Sequence, residues 1–166
     1  MRKRGGEGFL TQELTPVEDS PTPSPNGVAG IVLARLAELT GEPHWAERRD
    51  RLLETYAGGA AGLSVFGATL LRAFDWSLMP VTRVVVVGTD DDATRELRRA
   101  ARSVYRPRKV IQWLEPGAIS DHLPEALRAM LDGAAPRAYV CAGTQCAPPA
   151  ADPEELGAIL RSFGRG

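Results

Sequence analysis

A run of β-branched residues in the middle of the chain constrains the fold most. Val84–Val87 is an uninterrupted valine run, preceded by Arg83 and followed by Gly88, and it offers almost no polar face. Such a run is typical of a short strand that is buried on both sides. The sequence therefore predicts a covered β-sheet whose first strand begins soon after Pro80.

The residues after this strand alternate between helical and strand patterns. We expect further strands at Lys109–Leu114 and Ala138–Cys141, and helices at about 90–104, 123–131 and 153–163. The resulting β-α-β-α-β-α order predicts a small parallel three-stranded sheet with right-handed crossovers. Thr89 or Asp90 is expected to cap the first of these helices, because acidic residues are favourable in a first helical turn.

The residues before Pro80 follow a helical period. Apolar side chains recur at helical spacing in three segments, which begin near Val28, Pro43 and Gly62 and predict three amphipathic helices. Four prolines between Thr15 and Gly27 favour an extended loop ahead of them. We therefore divide the chain into a leader with a proline-rich loop (1–27), a helical segment (28–80) and an α/β segment (81–166).

Composition excludes several classes of function. The 166 residues carry 20 basic and 21 acidic side chains, and the net charge of -1 provides no positive field for nucleic acid or an anionic membrane. The apolar runs are too short to cross a bilayer, and glycines follow Met1–Arg4 where a signal peptide needs an apolar segment. We expect a cytoplasmic protein that has no nucleic-acid or membrane partner.

Cys141 and Cys146 are the chain's two cysteines, in a CxxxxC spacing. They are close enough for a disulfide or for two ligands of a soft metal. A structural zinc site needs about four ligands, and His44 and His122 are distant in sequence. The redox motif of thioredoxins has the shorter CxxC spacing. We therefore interpret the two cysteines as structural or inert thiols and predict neither a metal nor a cofactor.

The loop before the first helix holds the candidate ligand-binding residues. Asp19, Ser24 and Asn26 offer a carboxylate, a hydroxyl and an amide, which are the groups that a carbohydrate or polyol site uses. In the competing interpretation, Ser24 or Asn26 caps the first helix through its free N–H groups. Neither histidine is paired by spacing with a nucleophile, so no catalytic residue is assigned.

Several segments resemble the thioredoxin-domain-containing, spermatogenesis-associated protein family. Glu18–Ala29 and then Leu33–Gly41 are similar to one stretch of that family, which reads "DG..PSGNS.A...LLRLA.LTG". The "YVC" of Tyr139–Cys141 and the "DPEEL" of Asp152–Leu156 are similar to its closing segment, and Tyr105–Val110 resembles its "Y.PNKV" step. The match covers nearly the whole chain in order.

The resemblance implies a function at the level of a longer protein. Family members carry an amino-terminal thioredoxin-like domain and an (α/α)6 toroid similar to six-hairpin glycosidases and sugar epimerases. The resemblance implies that this chain is a carboxy-terminal portion, with three toroid helices and a terminal α/β module, which is carbohydrate-related and catalytically incomplete alone. The redox activity of the family's CxxC motif is not carried over, because no residues here match it.

Two alternatives remain open on the sequence. One is a non-enzymatic interaction or remnant module that completes a barrel encoded on another chain, or that self-associates through exposed helix faces. The other is a thiol redox or metal module at the cysteine pair. In the first case we expect helix faces to be left without partners. The residues expected to be exposed there are Leu33, Leu36, Leu52, Leu70 and Phe74.

Overall fold

The structure, a computed structural model, describes residues 17–116, 128 and 136–163. Its helices are α1 (Pro25–Thr40), α2 (Pro43–Ala57), α3 (Ala68–Leu78), α4 (Asp92–Ser103) and α5 (Pro153–Ser162), with a 3-10 segment at Ala60–Gly67. Its strands are β1 (Thr82–Val87), β2 (Lys109–Leu114), β3 (Arg137–Ala142) and β4 (Gln145–Cys146). The mixed α/β class predicted from the sequence is confirmed.

The sheet has the strand order β2-β1-β3-β4 and is mixed. β2 runs parallel to β1, whereas β3 runs antiparallel to it and places Val140 opposite Val84. The predicted parallel three-stranded sheet is therefore wrong at β3. Short apolar strands have the same sequence pattern in either direction, so the order of elements alone could not decide the direction of β3. The helix expected at 123–131 lies almost wholly outside the described residues.

The short strand β4 was missed by the sequence analysis. Gly143 and Thr144 form a two-residue turn between β3 and β4, and Gly143 has a φ of 57°, in the left-handed region that glycine adopts without steric cost. Beyond β4, Ala150 exchanges two backbone hydrogen bonds with Ala138, at 2.8 and 2.9 Å. This hairpin places Cys146 directly opposite Cys141.

Helices α4 and α5 cover one face of the sheet. Val84 and Val86 of β1 point into this layer and are fully buried. Leu97 of α4 and Leu160 of α5 pack against them. One core is therefore shared by a helix that precedes β3 in the sequence and a helix that follows it. The other buried members of this cluster are Ala101, Ala138, Val140, Ala147, Ala150 and Leu156.

The helical half joins the sheet through a second, shared core. Ala34 of α1 and Trp76 of α3 pack with Val81 and with Val110 of β2. Nearby, the Arg108 guanidinium contacts both carboxylate oxygens of Asp75, each at 2.6 Å. The three helices and the sheet thus form one packed body along this seam.

Several helix boundaries differ from the sequence expectation. α1 begins at Pro25 because Ser24 caps it, and α4 is capped by Asp91, not by Thr89 or Asp90. The predicted third helix is divided into the 3-10 segment and α3, and Ser64, with a φ of 51°, kinks the backbone within the 3-10 segment. No helix in the described ranges is both long and apolar enough to span a membrane.

Candidate functional site

Asp19 and Ser24 meet at the amino ends of two helices. Asp19 Oδ1 accepts a hydrogen bond from the Ser24 backbone N–H at 2.7 Å, and Oδ2 accepts one from the Thr69 N–H at 2.8 Å. Buried Ser24 accepts the Gly27 N–H through its hydroxyl at 3.1 Å. Asn26 lies half-buried in the first turn of α1. These contacts are those of the capping interpretation, with Ser24 as the cap; ligand binding by the three residues stays a prediction.

The Asp19 contacts make stability depend on pH. Hydrogen bonds from the Ser24 and then the Thr69 backbone lower the pKa of Asp19 below its ordinary value of 3.8. A lowered carboxyl pKa stabilises the fold above that ordinary value, and this contribution is lost as pH falls through the folded-state pKa. We expect Asp19→Asn to be less stable than wild type at neutral pH, because its amide cannot accept from both N–H groups.

The test is urea unfolding of wild type and Asp19→Asn over a series of pH values. The difference between their free energies of unfolding should shrink as pH falls below about 3.8. A difference that stays constant into strong acid would contradict the proposed role of the Asp19 charge.

A cavity of about 290 Å³ lies where the helices meet the β3–β4 end of the sheet. Its sheet side is a row of three neighbours on one face: Arg83 of β1 pairs with Cys141 of β3, which pairs with Cys146 of β4. The helices supply Glu38 of α1, Arg49 of α2 and Trp76 of α3. Residues far apart in the sequence therefore come together at this point.

Hydrogen-bond donors dominate the polar part of this cavity. The Arg83 side chain is 11% exposed and donates from Nη2 to Glu38 Oε2 at 3.2 Å. Its Nη1 and the indole N–H of Trp76 are buried and find no hydrogen-bond partner among the described residues. Arg49 donates from Nε to Asp50 Oδ1 at 2.8 Å. The described lining therefore combines two guanidinium groups with the Glu38 carboxylate.

The two cysteines form a disulfide beside this cavity, with their Cα atoms 4.1 Å apart. This is the disulfide alternative of the sequence analysis, and it engages both sulfurs, so neither is a thiolate ligand here. The bond closes a loop of only a few residues, and the backbone hydrogen bond from Ala147 N–H to the Val140 carbonyl supports the same hairpin. It therefore reinforces a turn that the backbone already makes.

Replacing both Cys141 and Cys146 by serine is expected to lower the free energy of unfolding by about 2 kcal/mol, since short loops give the smallest entropic gain from a crosslink. The fold should remain. Urea unfolding of the double variant, with thiol titration of the wild type, measures this. A loss of the folded state in the variant would show that the hairpin depends on the crosslink.

Glu38, Arg49, Trp76 and Arg83 were not among the site residues predicted from the sequence. One signal was present: Arg83 is a charged residue at the start of an otherwise apolar strand. Such a side chain must find a partner or a polar cavity when the strand is buried. The other three residues sit on helices whose relative positions the sequence does not specify.

The fold and the cavity define a small α/β module packed on a layer of three helices. Over 158 residues, 91% of this chain, it is 31% identical to human "Spermatogenesis-associated protein 20" and 29% identical to the rat protein of that name. The mouse protein is 28% identical over 95% of the chain. These homologues agree with the family resemblance seen in the sequence.

The chain spans about a fifth of the length of these curated relatives: 20% of the human and rat proteins and 22% of the mouse protein. No protein-family model matches the chain, and no solved structure matches it.

Proposed function

We propose that this chain acts as the carboxy-terminal module of a longer architecture of the spermatogenesis-associated protein type. In this proposal α1–α3 form part of a six-hairpin, glycosidase-like (α/α)6 toroid. The observation that carries it is the alignment of 91% of this chain with only 20% of the human relative. The module is catalytically incomplete alone, and any carbohydrate- or polyol-related activity belongs to the complete toroid.

The outer side of the helical layer supports an interaction role. Leu70, expected to be exposed, is fully buried against α1, and Leu33, Leu36, Leu52 and Phe74 are partly buried. Other apolar side chains take the exposed positions. They are Val28 and Val32 of α1, Val65 and Phe66 of the 3-10 segment, and Leu71 and Leu78 of α3.

Val28 and Val32 lie one turn apart on the same side of α1 and are 42% and 47% exposed. Apolar pairs at this spacing are the form in which a helix presents a docking stripe to another helix. In the proposed toroid, each helix packs between two neighbours, and this stripe contacts the next hairpin. On the isolated chain the same stripe favours self-association.

The experiment is light scattering after size exclusion on this chain. We expect wild type to form oligomers, and the double variant Val28→Glu/Val32→Glu to shift toward monomer, because charged side chains oppose apolar docking. Ala93→Glu, on an exposed position of α4, adds a carboxylate away from the stripe and should leave the oligomers intact. A wild-type monomer, or equal dissociation by Ala93→Glu, would refute docking through α1.

A further inference from the structure

We infer that the cavity between the helices and the β3–β4 hairpin binds a small hydroxylated oxyanion, either a hydroxy acid or a phosphate ester. The inference is independent of the docking role proposed for α1. It rests on the unpartnered donors, the charges and the size of this cavity.

Arg83 is the first group in the cavity that favours an anionic ligand. Its guanidinium is taken almost wholly out of solvent, yet Glu38 engages it through a single contact at 3.2 Å and Nη1 has no partner among the described residues. An unpaired donor of a charged group is costly to bury. An oxyanion oxygen at Nη1 would remove that cost, and guanidinium forks match carboxylate and phosphate geometry.

Trp76, which also lines the cavity, holds a second donor without a partner among the described residues. The residue is only 4% exposed, and this donor, its indole N–H, is buried. Indole can donate but cannot accept, so only an acceptor atom satisfies it. Two unsatisfied donors on residues that line one cavity select an acceptor-rich ligand over a cation or a donor-rich amine.

The charge and polarity of the lining further restrict the kind of ligand that fits the cavity. Arg49 adds a second guanidinium at the helix side, 15% exposed, and its Nε is paired with Asp50 at 2.8 Å. The described lining itself carries two guanidinium groups and one carboxylate. Glu38 can accept from ligand hydroxyls, and the hydroxyls of Ser77 and Thr144 can donate or accept. An anion that also carries hydroxyl groups uses all of these functions.

The cavity size favours a small ligand. Ligand pockets usually enclose roughly 300–1,000 Å³, and this one is about 290 Å³. That volume admits a small acid or a short phosphate ester. The Cys141–Cys146 disulfide lies beside Arg83 on the sheet side of the cavity, so the ligand would also contact an apolar surface there.

The test is isothermal calorimetry with two matched probe pairs. D-gluconate and D-sorbitol share a polyol chain, but only gluconate has a carboxylate. Glycerol 3-phosphate and glycerol form the equivalent phosphate pair. We expect at least one anion to bind and its neutral partner not to bind. Binding of gluconate assigns the site to hydroxy acids, and binding of glycerol 3-phosphate assigns it to phosphate esters.

Variants connect binding to this cavity. Arg83→Leu should lower the affinity for the anion by about tenfold or more, since hydrogen bonds to charged groups are the strongest of these contacts. Trp76→Phe keeps an aromatic ring and removes the N–H, and should weaken binding by a smaller factor. Arg51→Leu is the control: Arg51 lies on α2 like Arg49 but is 67% exposed and pairs with Glu47. It should bind as wild type does.

Each remaining outcome overturns the inference. These are binding of neither anion at millimolar concentration, equal binding of a neutral partner, or equal losses in Arg51→Leu and Arg83→Leu. Circular dichroism checks the fold of each variant. If Arg83→Leu does not fold, Arg49→Leu and Trp76→Phe decide the matter, and unchanged affinity in both would overturn the site.

Discussion

Replacing Gly27 by valine is expected to lower the free energy of unfolding by about 4 kcal/mol, a loss that overpacking produces only when it is severe. Gly27 lies in the first turns of α1, where that helix crosses the start of α3. A Cβ atom there would stand 2.7 Å from Leu70 N and 2.8 Å from the Thr69 carbonyl carbon. Both are backbone atoms, so a rotamer change cannot relieve the overlap and the two helices must separate.

The matched control is Gly58→Val. A Cβ atom at Gly58 meets nothing within 4 Å, and the residue has a right-handed helical conformation that valine can adopt. We expect a change within about 0.5 kcal/mol for that variant. Urea unfolding followed by circular dichroism compares the two. Similar losses at both positions would mean that β-branching, and not the approach of α1 to α3, determines the effect.

Replacing Leu97 by alanine is expected to cost about 3 kcal/mol, from lost burial and from the cavity left behind. Leu97 is fully buried and packs in the cluster that also contains Val84 of β1 and Leu156 of α5. Since the strands are held in place by their ladder hydrogen bonds, the cluster cannot fully collapse into the space.

Arg99→Ala provides the control on the same helix. Arg99 is exposed, and alanine is a strong helix former, so stability should change by no more than about 0.5 kcal/mol. Thermal and urea unfolding of both variants measure the difference. If Leu97→Ala were as mild as Arg99→Ala, α4 would not anchor the sheet in the way that its packing indicates.

The sequence identified most elements because their signals are local. The valine run at Val84–Val87 lies within β1, and the helix-spaced apolar residues before Gly41 lie within α1, which ends at Thr40. Strand direction is a different kind of property. Whether β3 runs with or against β1 depends on the path of the intervening chain, and residues 137–142 read the same in both cases.

The cavity was beyond sequence reasoning for a similar reason. It combines Glu38, Arg49, Trp76 and Arg83, which come from four different elements. No spacing rule relates these positions, because they converge only through the packing of helices on the sheet. By contrast, Ser24 lies next to the first helix in the sequence, so its role as a cap could be predicted, whereas the contact of Asp19 with the distant Thr69 N–H could not.

The shared core of Ala34, Trp76, Val81 and Val110 has a consequence for how such chains diverge. These residues come from both sides of Pro80, so a change in size on one side alters the space available on the other. Substitutions in the helices should therefore be tolerated in some sequence backgrounds and not in others. We therefore expect substitutions in the helical layer and substitutions in the sheet to be correlated among related chains.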